Sequence, residues 1–270
     1  MSAESIAAAT VAAAAYVLHA MAQPRRLRIA VLECDVLQNL PERERRLRGG
    51  DTWGLAAQSW LERSGVRASF THYQANVPAG QAPSIPSLEE FDALLVPGSA
   101  ANVDQPLHWI APSSKLVRQA HGARKKVLGI CFGHQLIADA LGGAQGKGAC
   151  GMNFTVDEQQ LTDEATRSGG VLEGVASVSL YKSHGNQVLR PPPGATVLAS
   201  SALTPCEMFC VGENVLAMQG HPEFSLEVMQ HILNRSKTMG DKEHKAQHIR
   251  AHVDGDAVGA AAVRWLGRPT

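Results

Sequence analysis

In one short stretch, Val127-Leu-Gly-Ile-Cys131-Phe-Gly133-His-Gln135-Leu-Ile-Ala138, the chain passes from an apolar strand-like run to a helical one. A Gly-x-Cys-x-Gly turn sits at the join. Such a sequence demands a buried strand whose end bends abruptly into a helix, the layout of a nucleophile elbow with sulfur in place of a hydroxyl. The turn forces its central residue into a strained conformation, and Gly129 and Gly133 remove side chains that would clash there. The following helix aims its N-terminal N–H groups and positive dipole end at the Cys131 sulfur, which favours the thiolate nucleophile. The Phe132 N–H is then placed to hold an oxyanion. An inert buried thiol would leave both glycines and the abrupt change of period unexplained. For Cys34, Cys150, Cys206 and Cys210, which lack that context, the inert thiol is the better reading.

The surroundings of the elbow predict an α/β fold. Arg28–Leu32, Arg67–Tyr73, Ala93–Val96 and Val127–Ile130 read as strands, the last two apolar throughout. Between them lie helical stretches, Thr52–Arg63 with Asp51 as an N-cap and Gly65 as a stop, and Ser113–His121. Strands alternating with helices predict an open, mostly parallel sheet covered on both faces. After Gly151 short β runs take over, at Asn153–Val156, Val175–Leu180, Thr196–Ser200, Glu207–Val211 and Val215–Met218, so a small antiparallel extension is expected. Phe224–Leu233 is again helical, and helices are expected onward to Leu266. The Arg-rich patch Arg43–Arg48 and the stretch Val77–Ser87 read as loops. The division this suggests is an N-terminal helical extension over 1–26, one α/β domain over 27–240 and a C-terminal helical extension over 241–270.

A thiolate needs a partner that hands a proton to the departing group. Met218-Gln-Gly220-His221-Pro222-Glu223-Phe224 supplies one. In extended chain His221 and Glu223 project to the same side, so the carboxylate can orient the imidazole and leave its other nitrogen for sulfur. Gly220 lets the chain turn and Pro222 fixes φ between the two. Eleven histidines make any single one a weak candidate, and it is the conjunction with the elbow that singles out His221.

Together, Gly-Ile-Cys131-Phe-Gly-His-Gln135 and Gln-Gly-His221-Pro-Glu223 resemble the class I, or triad, glutamine amidotransferases. The stand-alone members similar to the GMP synthase amidotransferase domain and the plant γ-glutamyl peptidases come nearest, with the likeness running from about Leu27 to Leu233. That resemblance implies a flavodoxin-like core, a γ-glutamyl thioester and release of ammonia or an amine. It implies Cys131, His221 and Glu223 as the triad, and Pro97-Gly98-Ser99 as an oxyanion loop joining Phe132. It also implies that Gln135 and the loop Lys182-Ser183-His184-Gly185-Asn186 line the substrate pocket. Asn186 stands where GMP synthase domains carry Asp in a Ser-His-Gly-Asp loop, so a substrate ammonium would meet a neutral amide there. Glu207-Met-Phe resembles the Glu-Met-Tyr of the plant peptidases. The expected function is hydrolysis of glutamine or of a γ-glutamyl peptide such as glutathione or its conjugates. The alternatives are a glutaminase subunit passing ammonia to a separate synthase, and a non-catalytic binding or regulatory module.

Composition bounds the other classes. With 44% hydrophobic and 19% charged residues among 270, the chain can bury a sizeable core. Lys plus Arg and Asp plus Glu balance at 25 each, so no overall field draws it to nucleic acid or acidic membranes. Zinc spacing and aromatic-basic strands are missing, and no apolar run is long enough to span a membrane. The odd cysteine count without a C-x-x-C pair suits a reducing compartment, the cytosol. The Ala-rich segment Ser2–Ala22 has Glu4 near its start and no Lys or Arg, unlike a targeting signal. Gly146-Lys-Gly148-Ala-Cys-Gly151 spells a dinucleotide fingerprint but follows a helix, so no cofactor is expected. His244, His248 and His252 recur at helical spacing and read as a solvated face rather than a metal clip.

Overall fold

The structure, a computed structural model, describes residues 26–35, 42, 45, 51–149, 151–235, 249 and 253–270. The Ala-rich N-terminal segment, Cys150, most of the Arg43–Arg48 patch and His244, His248 and His252 lie outside the described residues.

Five strands run parallel at the centre: β1 (Leu27–Glu33), β2 (Ala68–Gln74), β3 (Ala93–Val96), β4 (Lys126–Ile130) and β11 (Val215–Met218). Beyond β11 the sheet continues antiparallel through β10 (Met208–Val211), β9 (Ala195–Ser200), β6 (Val156–Leu161) and β7 (Val178–Tyr181). The order is β2-β1-β3-β4-β11-β10-β9-β6-β7. Its parallel part is the flavodoxin-like arrangement, with a switch point where the chain leaves β1 in opposite directions. A separate two-stranded antiparallel sheet pairs β5 (Ala144–Lys147) with β8 (Asn186–Arg190).

Alternate residues of the central strands feed two cores. Ile29, Val31, Leu95, Leu128 and Met218 pack under α1 (Trp53–Arg63) and α6 (Gly255–Leu266). Ala30, Leu32, Leu94, Val96 and Val127 pack under α2 (Ile110–Gly122) and α3 (Phe132–Ala140). The period of two in each strand thus places helices on both sides of the sheet. Trp60 of α1 ties the first layer together, its indole N–H donating to the Gly255 carbonyl at 2.9 Å. A single turn, α4 (Asp163–Thr166), follows β6, and α5 (Leu226–Arg235) follows the His221 segment.

Several local expectations shift. The residue that caps α1 is Thr52, not Asp51, because its hydroxyl accepts the Leu55 N–H at 3.2 Å. Helix α2 begins earlier than expected, at Ile110, with Pro112 in the first turn where its missing N–H costs nothing. The strand expected at Asn153–Val156 begins only at Val156, leaving Asn153 in an isolated bridge to His184. Strands β5 and β8 have no counterpart among the expected elements; Ala-Gln-Gly-Lys carries no alternation to betray a strand. Among the described residues no helix is long and apolar enough to cross a membrane.

Candidate active site

At Cys131 the backbone takes φ 52° and ψ −101°, the left-handed side that side chains avoid. Two close approaches impose this turn. A Cβ on Gly129 would sit 2.4 Å from Ile137 Cδ1, and one on Gly133 would sit 2.0 Å from the Val96 carbonyl oxygen. Strand β4, helix α3 and strand β3 are therefore pressed together tightly enough that only glycine fits on either side of the thiol. The Cys131 N–H donates to Met218 O at 2.8 Å, tying the elbow to the end of β11. The first intrahelical bond of α3 runs from Gln135 N to Cys131 O, so the N–H groups of Phe132, Gly133 and His134 have no partner within the helix.

Strand β11 then delivers His221 to the same place. Gly220 permits the passage, since a Cβ there would lie 2.7 Å from Leu180 Cβ. The His221 N–H donates to Tyr181 O at 2.8 Å and its Nδ1 meets Glu223 Oε1 at 2.8 Å. His221 and Glu223 meet across a turn, closed by Phe224 N to His221 O at 3.5 Å, rather than along extended chain. Phe224 stacks on the imidazole with centroids 3.8 Å apart, and Trp53 stacks on Phe224 at 4.8 Å. Burial by itself would lower the His221 pKa, but the Glu223 carboxylate and then Cys131 outweigh it and push the ring up to about 10. The Glu223 side chain is sealed from solvent, and its Oε2 has no hydrogen-bond partner.

Gly98 faces this pair. A Cβ on it would lie 3.2 Å from His221 Cε1 and 3.8 Å from Cys131 Cβ, so the loop after β3 closes on the thiol and the imidazole. The Ser99 hydroxyl is spent on the loop itself, donating to Cys34 O at 2.8 Å and accepting from Ala101 N at 3.1 Å. From the other side comes the 182–186 loop. Cys131 Sγ points at the Ser183 carbonyl, 4.0 Å away. His184 Nδ1 donates to Asn186 O at 3.1 Å, which fixes the tautomer and leaves Nε2 as a buried acceptor with no partner. Burial, then Lys182 and His221, hold His184 down to about 4, so its ring is neutral. Gly185 is in van der Waals range of Met152, where a Cβ would come 2.9 Å from Sδ. The Gln135 amide donates to Asn186 O at 2.8 Å and to Gln219 Oε1 at 3.1 Å. Its N–H groups hold the loop in place instead of reaching into open space.

Around these groups lies a cavity of about 600 Å3. Of the residues singled out in the sequence, Ser99, Cys131, Phe132, Gln135, Ser183, His184, Gly185, Asn186 and His221 line it. Glu223 stands behind His221. Residues matching the Glutamine amidotransferase class-I family extend over 57–238 and include the elbow, the His221 segment and most of the sheet.

The chain belongs to the class I glutamine amidotransferase family.

Relatives share this core. Gamma-glutamyl peptidase 3 of Arabidopsis thaliana is 32% identical over 163 residues, covering 59% of this chain and 66% of that protein. Gamma-glutamyl peptidase 4 of the same plant is 32% identical over 65% of this chain and 71% of its own length. The glutamine-hydrolyzing GMP synthase subunit of Sulfolobus acidocaldarius is 32% identical over 52% of this chain and 71% of that protein. The chain thus spans about two thirds of the length of the curated relatives it matches. In fold it is similar to a glutamine amidotransferase of Thermotoga maritima, with a TM-score of 0.64, 17% identity and coverage of 91% and 100% of the two chains. A glutamine amido transferase of Methylobacillus flagellatus gives a TM-score of 0.63, 16% identity and coverage of 91% and 96%.

Within this member of the family, the outer wall of the cavity is invisible to sequence reasoning. Asp35, Trp53, Lys147, Met152, Phe224 and Ile232 come from six separate segments. Only Phe224, beside Glu223 in the motif, carries any local signal. The buried ammonium of Lys182 is a second omission. It pairs with Glu207 and, at 2.5 Å, with Asp157, bracing the loop that carries Ser183 and His184. The sequence marks Glu207 by resemblance alone; only the fold gives it an ion pair.

Proposed function

We propose that this chain hydrolyses γ-glutamyl amide bonds through a γ-glutamyl thioester on Cys131. The observation that carries the proposal is the convergence of a strained thiol, an imidazole and a sealed carboxylate on the wall of one cavity at the carboxyl ends of β4 and β11. Cys131 attacks as thiolate, its proton held by His221. A C–S bond forms at the γ-carbonyl carbon and the carbonyl π pair moves to oxygen. The N–H groups of Phe132 and the Gly98–Ser99 loop hold that oxyanion. His221, kept charged by Glu223, gives its proton to the amide nitrogen, the C–N bond breaks and ammonia or an amine departs. A water molecule then attacks the thioester and passes a proton to His221. The C–S bond breaks, glutamate leaves, and the Cys131–His221 pair is restored.

Substrate recognition follows from the inner wall. The neutral His184 offers Nε2 as an acceptor for the substrate ammonium group, beside the uncharged Asn186. The cavity falls within the roughly 300–1,000 Å3 that takes drug-sized ligands, more room than free glutamine requires. Trp53, Met152, Phe224 and Ile232 give the outer part an apolar wall, with Asp35 and Lys147 as charged ends. Space on the leaving-group side favours a γ-glutamyl peptide such as glutathione or a conjugate of it. The similarity to a glutamine-hydrolyzing GMP synthase subunit supports a second reading, a glutaminase that supplies ammonia to a separate synthase.

Cys131→Ala should abolish turnover while leaving the circular dichroism spectrum and unfolding midpoint close to wild type. Retained activity in that variant ends the mechanism. Turnover of glutamine against that of a glutathione conjugate separates the substrates, and activity only with an added synthase favours the second reading. Labelling of Cys131 by a glutamine-mimicking diazoketone is expected; an unlabelled thiol would return the chain to the non-catalytic class.

A further inference from the structure

A second cavity, of about 650 Å3, opens at the far end of β4 from Cys131. Five residues of strand place the two roughly 16 Å apart along its length. Lys126, the first residue of β4, lines this cavity and is 4% exposed. Its ammonium donates to the Glu213 carbonyl at 2.8 Å and lies 4.6 Å from the centre of the Trp265 ring. Among the described residues no carboxylate pairs with it. The Glu213 carboxylate instead approaches Arg124, at 3.7 Å. Although the side chain is buried, its ammonium has only a carbonyl and an aromatic face in close contact; the Glu213 carboxylate acts on it from a distance and leaves room for a counter-charge in contact.

Two more cations border the same space. Arg268 is anchored by the carbonyls of Gly169 at 2.8 Å and Gly170 at 3.0 Å, which use two of its five N–H donors. Arg167 lines the wall from the turn after α4. Against these three stand the carboxylates of Glu164 and Glu213, both exposed to solvent. Gly169, Gly194 and Gly212, all at positive φ, form turns around the rim and keep it clear of side chains.

We propose that this cavity is a second ligand site, which takes a small molecule through its carboxylate or phosphate group, held by Lys126, Arg167 and Arg268. The anion supplies the contacting counter-charge that Lys126 lacks, and the guanidinium groups offer paired donors that fit either oxyanion. Burial lowers the Lys126 pKa to about 8, so at neutral pH the ammonium is still charged and the site still ready.

Isothermal titration of the full chain at pH 7 with inorganic phosphate and with citrate tests this. At least one probe should bind wild type with Kd of about 1 mM or tighter, and Lys126→Met and Arg167→Gln should each weaken it roughly tenfold. Preference for phosphate or for citrate tells which group the natural ligand carries. Arg167 is exposed, so its variant remains informative should Lys126→Met fail to fold. Binding unchanged in the Lys126 and Arg167 variants, binding that disappears in Lys147→Met at the catalytic cavity, or no saturable binding of either probe would each overturn the assignment.

Discussion

His221 with Glu223 and His72 with Glu33 are nearly the same object in two places. Nδ1 meets Oε1 at 2.8 Å in the first pair and 2.6 Å in the second. In both, the second carboxylate oxygen is buried without a hydrogen-bond partner. What differs is the remainder of each ring. His72 Nε2 is taken by Gln58 Oε1 at 2.7 Å, and Glu33 Oε1 also accepts the Thr52 hydroxyl, at 2.7 Å, that caps α1. Every donor there is used in joining β1, β2 and α1. His221 is braced on one nitrogen and stacked on one face, and it reaches the cavity beside Cys131. A carboxylate orients an imidazole in either setting. Chemistry is available only where the ring keeps a nitrogen for something else.

Replacing the two histidines should break the symmetry most visibly. His221→Asn is expected to lower kcat by about 10⁶-fold, as loss of the histidine does in comparable triads. His72→Asn should leave kcat within a few-fold and lower the unfolding midpoint. Equal losses of activity would mean that the two pairs serve one function. The carboxylates come next. Glu223→Gln keeps the shape and removes the charge, and should cost kcat about 10⁴-fold, whereas Glu33→Gln should act on stability alone.

That contrast also marks what could be read without the fold. His221 and Glu223 are two residues apart inside a motif, and Gly129, Cys131 and Gly133 announce a turn that the packing against Val96 and Ile137 enforces. Local spacing set by steric need survives in sequence. His72 and Glu33 are 39 apart and carry no motif, so their pairing exists only through the parallel register of β1 and β2. The same holds for Lys182, whose partners Asp157 and Glu207 arrive from β6 and the approach to β10. The parallel half of the sheet is legible because β3 and the Val127–Ile130 run of β4 are apolar throughout and buried on both faces, whereas β2 shows the plain alternation of an edge strand. Strands β5 and β8 are not, since Gly146 and Lys147 give neither alternation nor a hydrophobic run. Thr52 displaced Asp51 as the cap because its hydroxyl also satisfies Glu33, a partner from another element.

The titration of His221 sharpens the comparison in stability rather than rate. Its folded pKa, about 10, lies above the ordinary 6.5. A raised value means that the charged ring stabilises the fold fully below the unfolded pKa, and that this contribution fades as pH rises towards the folded one. The difference in urea midpoint between wild type and Glu223→Gln should therefore be full at and below about pH 6.5 and shrink as pH rises to about 10. A difference that does not change across that window would show that the folded imidazole carries no charge, which removes the proton that the proposed mechanism gives to the leaving group.

The smallest effect belongs to the structural pair's own support. Thr52 accepts from Leu55 N at 3.2 Å and donates to Glu33 at 2.7 Å, so Thr52→Ala deletes an N-cap and one of the two hydrogen bonds on Glu33 Oε1. Loss of a Thr cap costs about 1 kcal/mol, at most about 2, equivalent to a fall in Tm of roughly 2–4 °C per kcal/mol for a chain of this size. Turnover should not follow. Although Trp53, the next residue, leans on Phe224 and through it on His221, the stack is held by ring contact and not by the cap. A fall in kcat larger than the fall in folded fraction would mean that the first turn of α1 transmits to the imidazole. In that event the two pairs are coupled through Trp53, and the division between a structural and a chemical histidine gives way to one connected scaffold.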